Sequence, residues 1–205
     1  MKVVCVGGGP AGLYAAVLLK RLDASNEVEV YERNPAGDRN GFGVTFRADL
    51  LPALHQNDPT SGAQIAAAAF QWRGMNVHVE GRPSVASAGS GYSIERAALL
   101  RVLTERAREL GVSLTFGHSA EASEVTADAD LVVAADGVRS RVRQQWADAF
   151  GSRVSSGANR YVWLGTTKVF TAFTFAFVQT SAGWLWCYAH GYRNDRSTFV
   201  VECPP

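Results

Sequence analysis

The chain has 205 residues, with 20 Lys+Arg against 19 Asp+Glu for a net charge of +1, and is 47% hydrophobic with 10% aromatics. That balance supports a packed core rather than disorder, and it leaves no basic stripe of the kind that binds nucleic acid. No apolar run approaches the ~18 residues of a membrane span. Cys5, Cys187 and Cys203 show neither a CxxC pair nor metal-ligand spacing, so a reducing cytoplasm is the expected setting.

The chain opens on MKVVCVGGGPAG, an apolar run that falls into Gly7-x-Gly9-x-x-Gly12. Three consecutive glycines and Pro10 interrupt what would otherwise resemble a signal sequence, and a strand reading explains them. A buried strand over Val3–Val6 is expected to end in a glycine turn, with a helix beginning at about Pro10 to Leu13 and continuing through Ala16, Val17 and Leu19–Lys20. In such a turn Gly7 allows the tight bend, Gly9 lets backbone approach a pyrophosphate, and Gly12 lets helix and strand pack closely. Phosphates would then meet the unpaired N–H groups of Ala11 and its neighbours at the positive end of the helix. A second apolar strand, Val28–Tyr31, ends at Glu32, twenty residues beyond Gly12. An acidic side chain there can accept hydrogen bonds from a ribose hydroxyl pair. GxGxxG alone is a weak signal; the joint spacing makes residues 1–33 a βαβ dinucleotide-binding unit.

Residues 34–59 read as irregular, with Asn34-Pro35, Gly37-Asp38 and Gly41-Phe42-Gly43 as turn signals. Helices are expected over Asp49–His55 and Ser61–Phe70, a strand over Met75–Glu80, and a small-residue loop over Gly81–Gly91. Ser93 is expected to open a helix striped by Leu99, Leu100, Leu103, Ala107 and Leu110 and stopped by Gly111. Arg101, Arg106 and Arg108 would form its solvated face. Strands follow at Val112–Phe116 and Ala129–Ala135. Beyond Gly151, aromatic and β-branched stretches at 161–164, 167–179, 183–189 and 197–202 read as an antiparallel meander.

The strand over 129–135 runs into Asp136-Gly137-Val138-Arg139-Ser140-Arg141-Val142-Arg143. Taken alone this is equally an Asp-Gly turn before a solvated basic helix. Beside the N-terminal fingerprint it becomes a ligand-binding strand end, where Asp136 accepts from a sugar hydroxyl and Gly137 permits close approach. Arg139 and Arg143 offer planar donors to phosphate. Trp184, Trp186 and Tyr188 are spaced by two and share a face, and packing on the sheet explains them better than a substrate platform. His190, in YAHGYR, could contact substrate, but a lone histidine on a strand reads better as a packed or surface residue.

Together, VVCVGGGPAGLYAAVLLK, Glu32-Arg33, Arg96-x-x-Leu99-Leu100 and LVVAADGVRSRVR resemble the single-component FAD-dependent aromatic hydroxylases. ERN at 32–34, GFGVTF at 41–46, the IAAAA helix, NVHV at 76–79 and the stretch from Trp184 to Pro204 are similar to hydroxylases of salicylyl-CoA and anthraniloyl-CoA in particular. The resemblance implies an α/β fold, with a glutathione-reductase-type FAD-binding domain over 1–153 carrying a strand insertion near 72–92, and part of a substrate-domain β-sheet over 154–205. It implies that Gly7, Gly9, Pro10, Ala11 and Gly12 hold the FAD pyrophosphate and that Glu32 holds the adenosine ribose. Gly43-Val44 would lie beside the isoalloxazine ring and Arg96 would reach the flavin phosphates. Asp136-Gly137 would serve both FAD and a visiting NAD(P)H, with Arg33 and Arg139 as weaker correspondences.

The activity implied is hydroxylation of a small aromatic substrate, an aryl-CoA thioester, by dioxygen through a flavin hydroperoxide. No metal, nucleic acid or membrane partner is expected. Ala134 stands where the family has glycine, and the family's third FAD motif is not found in residues 140–205, so the chain reads as an N-terminal fragment. A reductase or desaturase on the same fold, or a non-catalytic flavin-fold protein, are the alternatives. Open strand edges over 161–205 imply poor solubility.

Overall fold

The computed structural model describes residues 1–38, 40–119 and 128–205. The elements run β1 (Lys2–Val6), α1 (Pro10–Leu22), β2 (Glu27–Glu32), β3 (Gly43–Phe46), α2 (Leu50–Asn57), α3 (Pro59–Ala68), β4 (Phe70–Val79), β5 (Val85–Glu95) and α4 (Arg96–Glu109). There follow β6 (Ser113–Phe116), β7 (Leu131–Ala134), α5 (Arg141–Gln145), α6 (Ala147–Phe150), β8 (Arg160–Thr166), β9 (Phe173–Thr180), β10 (Gly183–Arg193) and β11 (Arg196–Cys203). They form two compact units, and α2, α3 and α4 carry the chain between them.

The first unit is built on a parallel sheet of order β6-β2-β1-β7. β1 sits centrally with Val3 through Val6 all buried, which is why it reads as a continuous apolar run rather than an alternating one. α1 buries Gly12, Leu13, Ala16 and Val17, and Val142 of α5 packs with Val4 and Val6 among Tyr31, Ala129 and Val132. Lys20 Nζ closes the C-terminal end of α1 by donating to the carbonyls of Ala24 (2.6 Å) and Asn26 (2.9 Å).

Asp58, fully buried, is the electrostatic tie of this unit. Its carboxylate accepts from Arg106 Nε and Nη2 at 3.0 Å each, from the Ser61 amide at 3.0 Å, and pairs with Arg21 Nη1 at 3.1 Å. Burial alone would raise its pKa, but the Arg106 and Ser61 hydrogen bonds and the Arg106 charge outweigh it and hold the carboxyl below its ordinary range. Arg106, expected on a solvated face, is therefore an internal partner with a side chain only 13% exposed. The stripe on α4 is interrupted because a buried carboxylate must be paired.

The second unit is one seven-stranded sheet of order β3-β5-β4-β9-β10-β11-β8. All pairings are antiparallel except β4 with β9. Three sequence expectations are corrected here. Residues 85–91 are strand and not loop: VASAGSG lacks apolar alternation, yet it ladders with β4 across a shift between Arg73 and Met75, where Gly74 takes φ +80°. Ser93 lies inside β5 and α4 starts at Arg96, because the Ser93 hydroxyl bonds into the sheet instead of capping a helix. The last four strands are not a simple meander. β8 pairs with β11, and the chain then crosses so that β9 lies parallel to β4.

The sheet rolls on itself, bringing β3 and β5 against β10 and β11. Backbone ladders cannot close that seam, and buried hydroxyls do. Ser93 Oγ lies 2.8 Å from His190 Nδ1, and Thr198 Oγ1 lies 2.9 Å from both the amide and the carbonyl of Gly43.

Candidate dinucleotide site

In the first unit the strand ends of β1, β2 and β7 carry Gly7–Gly12, Glu32 and Asp136-Gly137 respectively. The turn after β1 is set by contact distance. Gly7 has φ +110°, and a Cβ there would meet the Ala135 carbonyl oxygen at 2.3 Å. A Cβ on Gly12 would sit 1.9 Å from the Gly7 carbonyl oxygen, so helix and turn touch backbone to backbone. Gly9 is different. It has φ −72° and ψ 178°, and a Cβ there would meet nothing within 4 Å. The packing around Gly9 therefore leaves room for a side chain.

Gly9 is the N-cap of α1 and gives no side-chain cap; Pro10 follows it, and no acidic residue lies in the first turn. Pro10 and Ala11 are exposed. A helix N-terminus with neither cap nor carboxylate leaves donors and a positive dipole end for an anion. The carboxylate nearby is already directed: Glu32 Oε2 accepts from the Gly8 amide at 2.7 Å and Oε1 from the Asn34 amide at 2.8 Å. Each oxygen retains a lone pair for a hydroxyl donor.

Asp136 Oδ2 accepts from the amides of Arg141 (2.7 Å) and Val142 (3.3 Å), fixing the start of α5, whose N-cap Ser140 accepts from the Arg143 amide. Burial pushes the Asp136 pKa up, but hydrogen bonds from Ser140 and from the Val142 and Arg141 amides bring it below the ordinary value. The second oxygen, Oδ1, is buried with no partner, as is Arg143 Nε. A charged acceptor left unpaired beside an open helix N-terminus is what a sugar hydroxyl would satisfy. A dinucleotide fits this set of donors and acceptors. Arg33, Gly137 and Arg139 are exposed and hold no fixed geometry toward it.

The remaining predicted residues belong to the second unit. Gly43 is buried at the start of β3, and Val44 pairs with Ile94. Arg96 opens α4, donates from Nη1 to the Asn40 carbonyl at 2.8 Å, and bonds through its amide to the Phe42 carbonyl at 2.9 Å. On the tryptophan–tyrosine face Trp186 stacks on Phe177 (6.2 Å) and Tyr188 on Phe173 (5.9 Å), both half-buried, while Trp184 is 46% exposed. His190 is buried, stacked on Phe173 at 5.3 Å, and burial lowers its pKa to about 4 against a weaker opposing hydrogen bond with Gly191. Thr198 was invisible to sequence reading, since nothing marks one β-strand threonine among several.

Burial pushes the Cys5 thiol up to about 11, and the three cysteines are free. Among the described residues no group of three His, Cys, Asp or Glu could hold a metal ion, and no helix is long and apolar enough to cross a membrane.

Residues 5–41 match the NAD(P)-binding Rossmann-like domain family. The chain is 37% identical over 203 residues to the salicyloyl-CoA 5-hydroxylase of a Streptomyces species, an alignment covering 98% of this chain and 39% of the relative. It is 34% identical over 202 residues to the 3-hydroxy-4-methyl-anthranilyl-[aryl-carrier protein] 5-monooxygenase of Streptosporangium sibiricum, covering 98% of this chain and 57% of that one. Thus the chain spans about two fifths of the first relative's length and somewhat more than half of the second's. The crystal structure of PqsL, a "probable FAD-dependent monooxygenase" of Pseudomonas aeruginosa, superimposes with a TM-score of 0.72 at 17% identity, covering 100% of this chain and 60% of that one. That likeness carries the fold. Over nearly its whole length the chain is homologous in sequence to the two named monooxygenases.

Proposed function

We propose that the chain is the FAD-binding and partial substrate-binding portion of an NAD(P)H-dependent monooxygenase that hydroxylates an aromatic acyl group carried as a CoA thioester. The observation that carries the cofactor assignment is Gly9, where open space faces a helix N-terminus that no side chain caps, at the start of α1. In this reading the amides following Gly9 hold the pyrophosphate, Glu32 orients the adenosine ribose, and Asp136 Oδ1 accepts from a further sugar hydroxyl of the cofactor. Arg96 meets the phosphates, and Gly43-Val44 border the flavin ring. Bound FAD, reduced by NAD(P)H, supplies oxygen insertion into an electron-rich ring, with the second oxygen atom leaving as water.

The chain's own contribution is position and dryness. Phe173, Phe175, Phe177, Trp186 and Tyr188 give the sheet a partly exposed aromatic face suited to an aryl group. Support for a thioester substrate comes from the two relatives, whose names specify aromatic acyl groups on CoA and on an aryl-carrier protein. Free cysteines suit a cytoplasmic setting.

The test is oxygen uptake by the FAD-loaded chain with NAD(P)H. Hydroxyaryl- or aminoaryl-CoA should stimulate it and yield a hydroxylated ring. NAD(P)H oxidation without oxygen uptake would favour a reductase instead.

A further inference from the structure

Residues 41, 42 and 43 are each seated against the rolled sheet of the second unit by a separate contact. Gly41, at φ +98°, lies under Trp163, whose ring a Cβ would meet at 2.9 Å. Phe42 fills the notch left by Gly165, where a Cβ would come within 2.4 Å of its ring, and it meets Trp163 edge-on at 5.8 Å. Gly43 abuts Tyr192, with no space for a Cβ. Its two backbone polar groups face away from β5, and one side chain satisfies both: Thr198 Oγ1 accepts from the Gly43 amide and donates to the Gly43 carbonyl, each at 2.9 Å. Thr198 is 1% exposed, so no water substitutes for it.

We infer that Thr198 is a positioning residue for the flavin-side loop: its hydroxyl clamps Gly43 and thereby fixes Val44 at the edge of the ring site. This rests on the FAD reading above. The chemistry required is narrow. A hydroxyl donates and accepts strongly from one atom, serine preserves that, and valine preserves the shape without it. A residue that merely closed the seam would behave like Ser93, whose hydroxyl makes the neighbouring buried tie to His190.

The experiment compares Thr198→Val, Thr198→Ser and Ser93→Ala with wild type in the full chain, by amide hydrogen exchange without ligand and by the absorption band shape and fluorescence of bound FAD. Loss of the clamp should speed exchange at Gly43 by about tenfold, the worth of one hydrogen bond, and alter the flavin signature. Thr198→Ser should restore both, and Ser93→Ala should move neither. Should Thr198→Val not fold, Phe42→Leu, which loosens the same loop at Gly165, should move both readouts in the same direction. A wild-type chain that binds FAD alongside variants with its flavin signature and exchange rate would overturn the inference. A wild-type chain that binds no FAD would overturn the cofactor reading and the positioning role with it, while Gly43 exchange would still report whether the clamp exists.

Discussion

Gly12 lies so close beneath Gly7 that a Cβ on it would stand 1.9 Å from the Gly7 carbonyl oxygen, whereas a Cβ on Gly9, three residues earlier, would touch nothing. The two glycines therefore fail differently. Gly12→Ala forces α1 off β1 and should destabilise the chain by about 3 kcal/mol or more. Gly9→Ala, which meets no clash but places alanine at an N-cap, should cost only about 1 kcal/mol while weakening FAD binding at least tenfold, since the methyl group occupies the approach to the helix N-terminus. Urea denaturation and flavin titration of both variants separate the roles. Equal stability losses would sink the distinction.

Asp58 and Arg106 make a second, purely structural prediction. Asp58→Ala leaves two guanidinium groups facing a buried void and should cost about 3–5 kcal/mol. Arg101, whose pairing with Glu105 at 3.6 Å is on the surface, should tolerate alanine within about 0.5 kcal/mol. Denaturant midpoints check both.

His190 sets an acid limit. Its pKa falls from 6.5 to about 4 on folding, because burial penalises the imidazolium. Between those values the unfolded chain binds a proton that the folded chain refuses. Stability is therefore whole above about pH 6.5 and declines toward pH 4, by about 3 kcal/mol across the window. Asp58 and Asp136, both held below the usual carboxylate range, add a further loss at still lower pH. Thermal melts of wild type and His190→Gln between pH 7.5 and 4 should show the slope in the first and its loss in the second; parallel profiles would refute the assignment.

How much was legible in the sequence follows from what is local. The β1–α1–β2 unit declared itself because an apolar run, a glycine turn and Glu32 lie within 32 residues. The strand before Asp136 was legible as an apolar run, but the Asp-Gly itself was ambiguous until set beside the N-terminal fingerprint. Residues 85–91 were not legible, since their strand identity comes from pairing with β4 and not from their own small side chains. Ser93 looked like a helix start, and only the tertiary approach of His190 explains it. Asp58 had a readable signal, an Asp directly before Pro59 at a helix start, but its pairing with Arg106 spans 48 residues. Thr198 acts across 155 residues, beyond any local pattern.

β8 forms one edge of the seven-stranded sheet, with Tyr161, Val162 and Leu164 at 75%, 48% and 42% exposure. An apolar edge strand recruits other strands. Val162→Lys with Leu164→Lys should reduce light scattering of the concentrated chain while leaving its melting temperature within a few degrees. Unchanged scattering would point to another aggregating surface.

The first measurement should be the visible absorbance of the purified chain, wild type beside Gly9→Ala, after incubation with FAD and desalting. Wild type should emerge yellow with flavin near one equivalent, and a folded Gly9→Ala should emerge colourless. Two colourless proteins, or two equally yellow ones, would mean that the open N-terminus of α1 is not where this chain holds its dinucleotide.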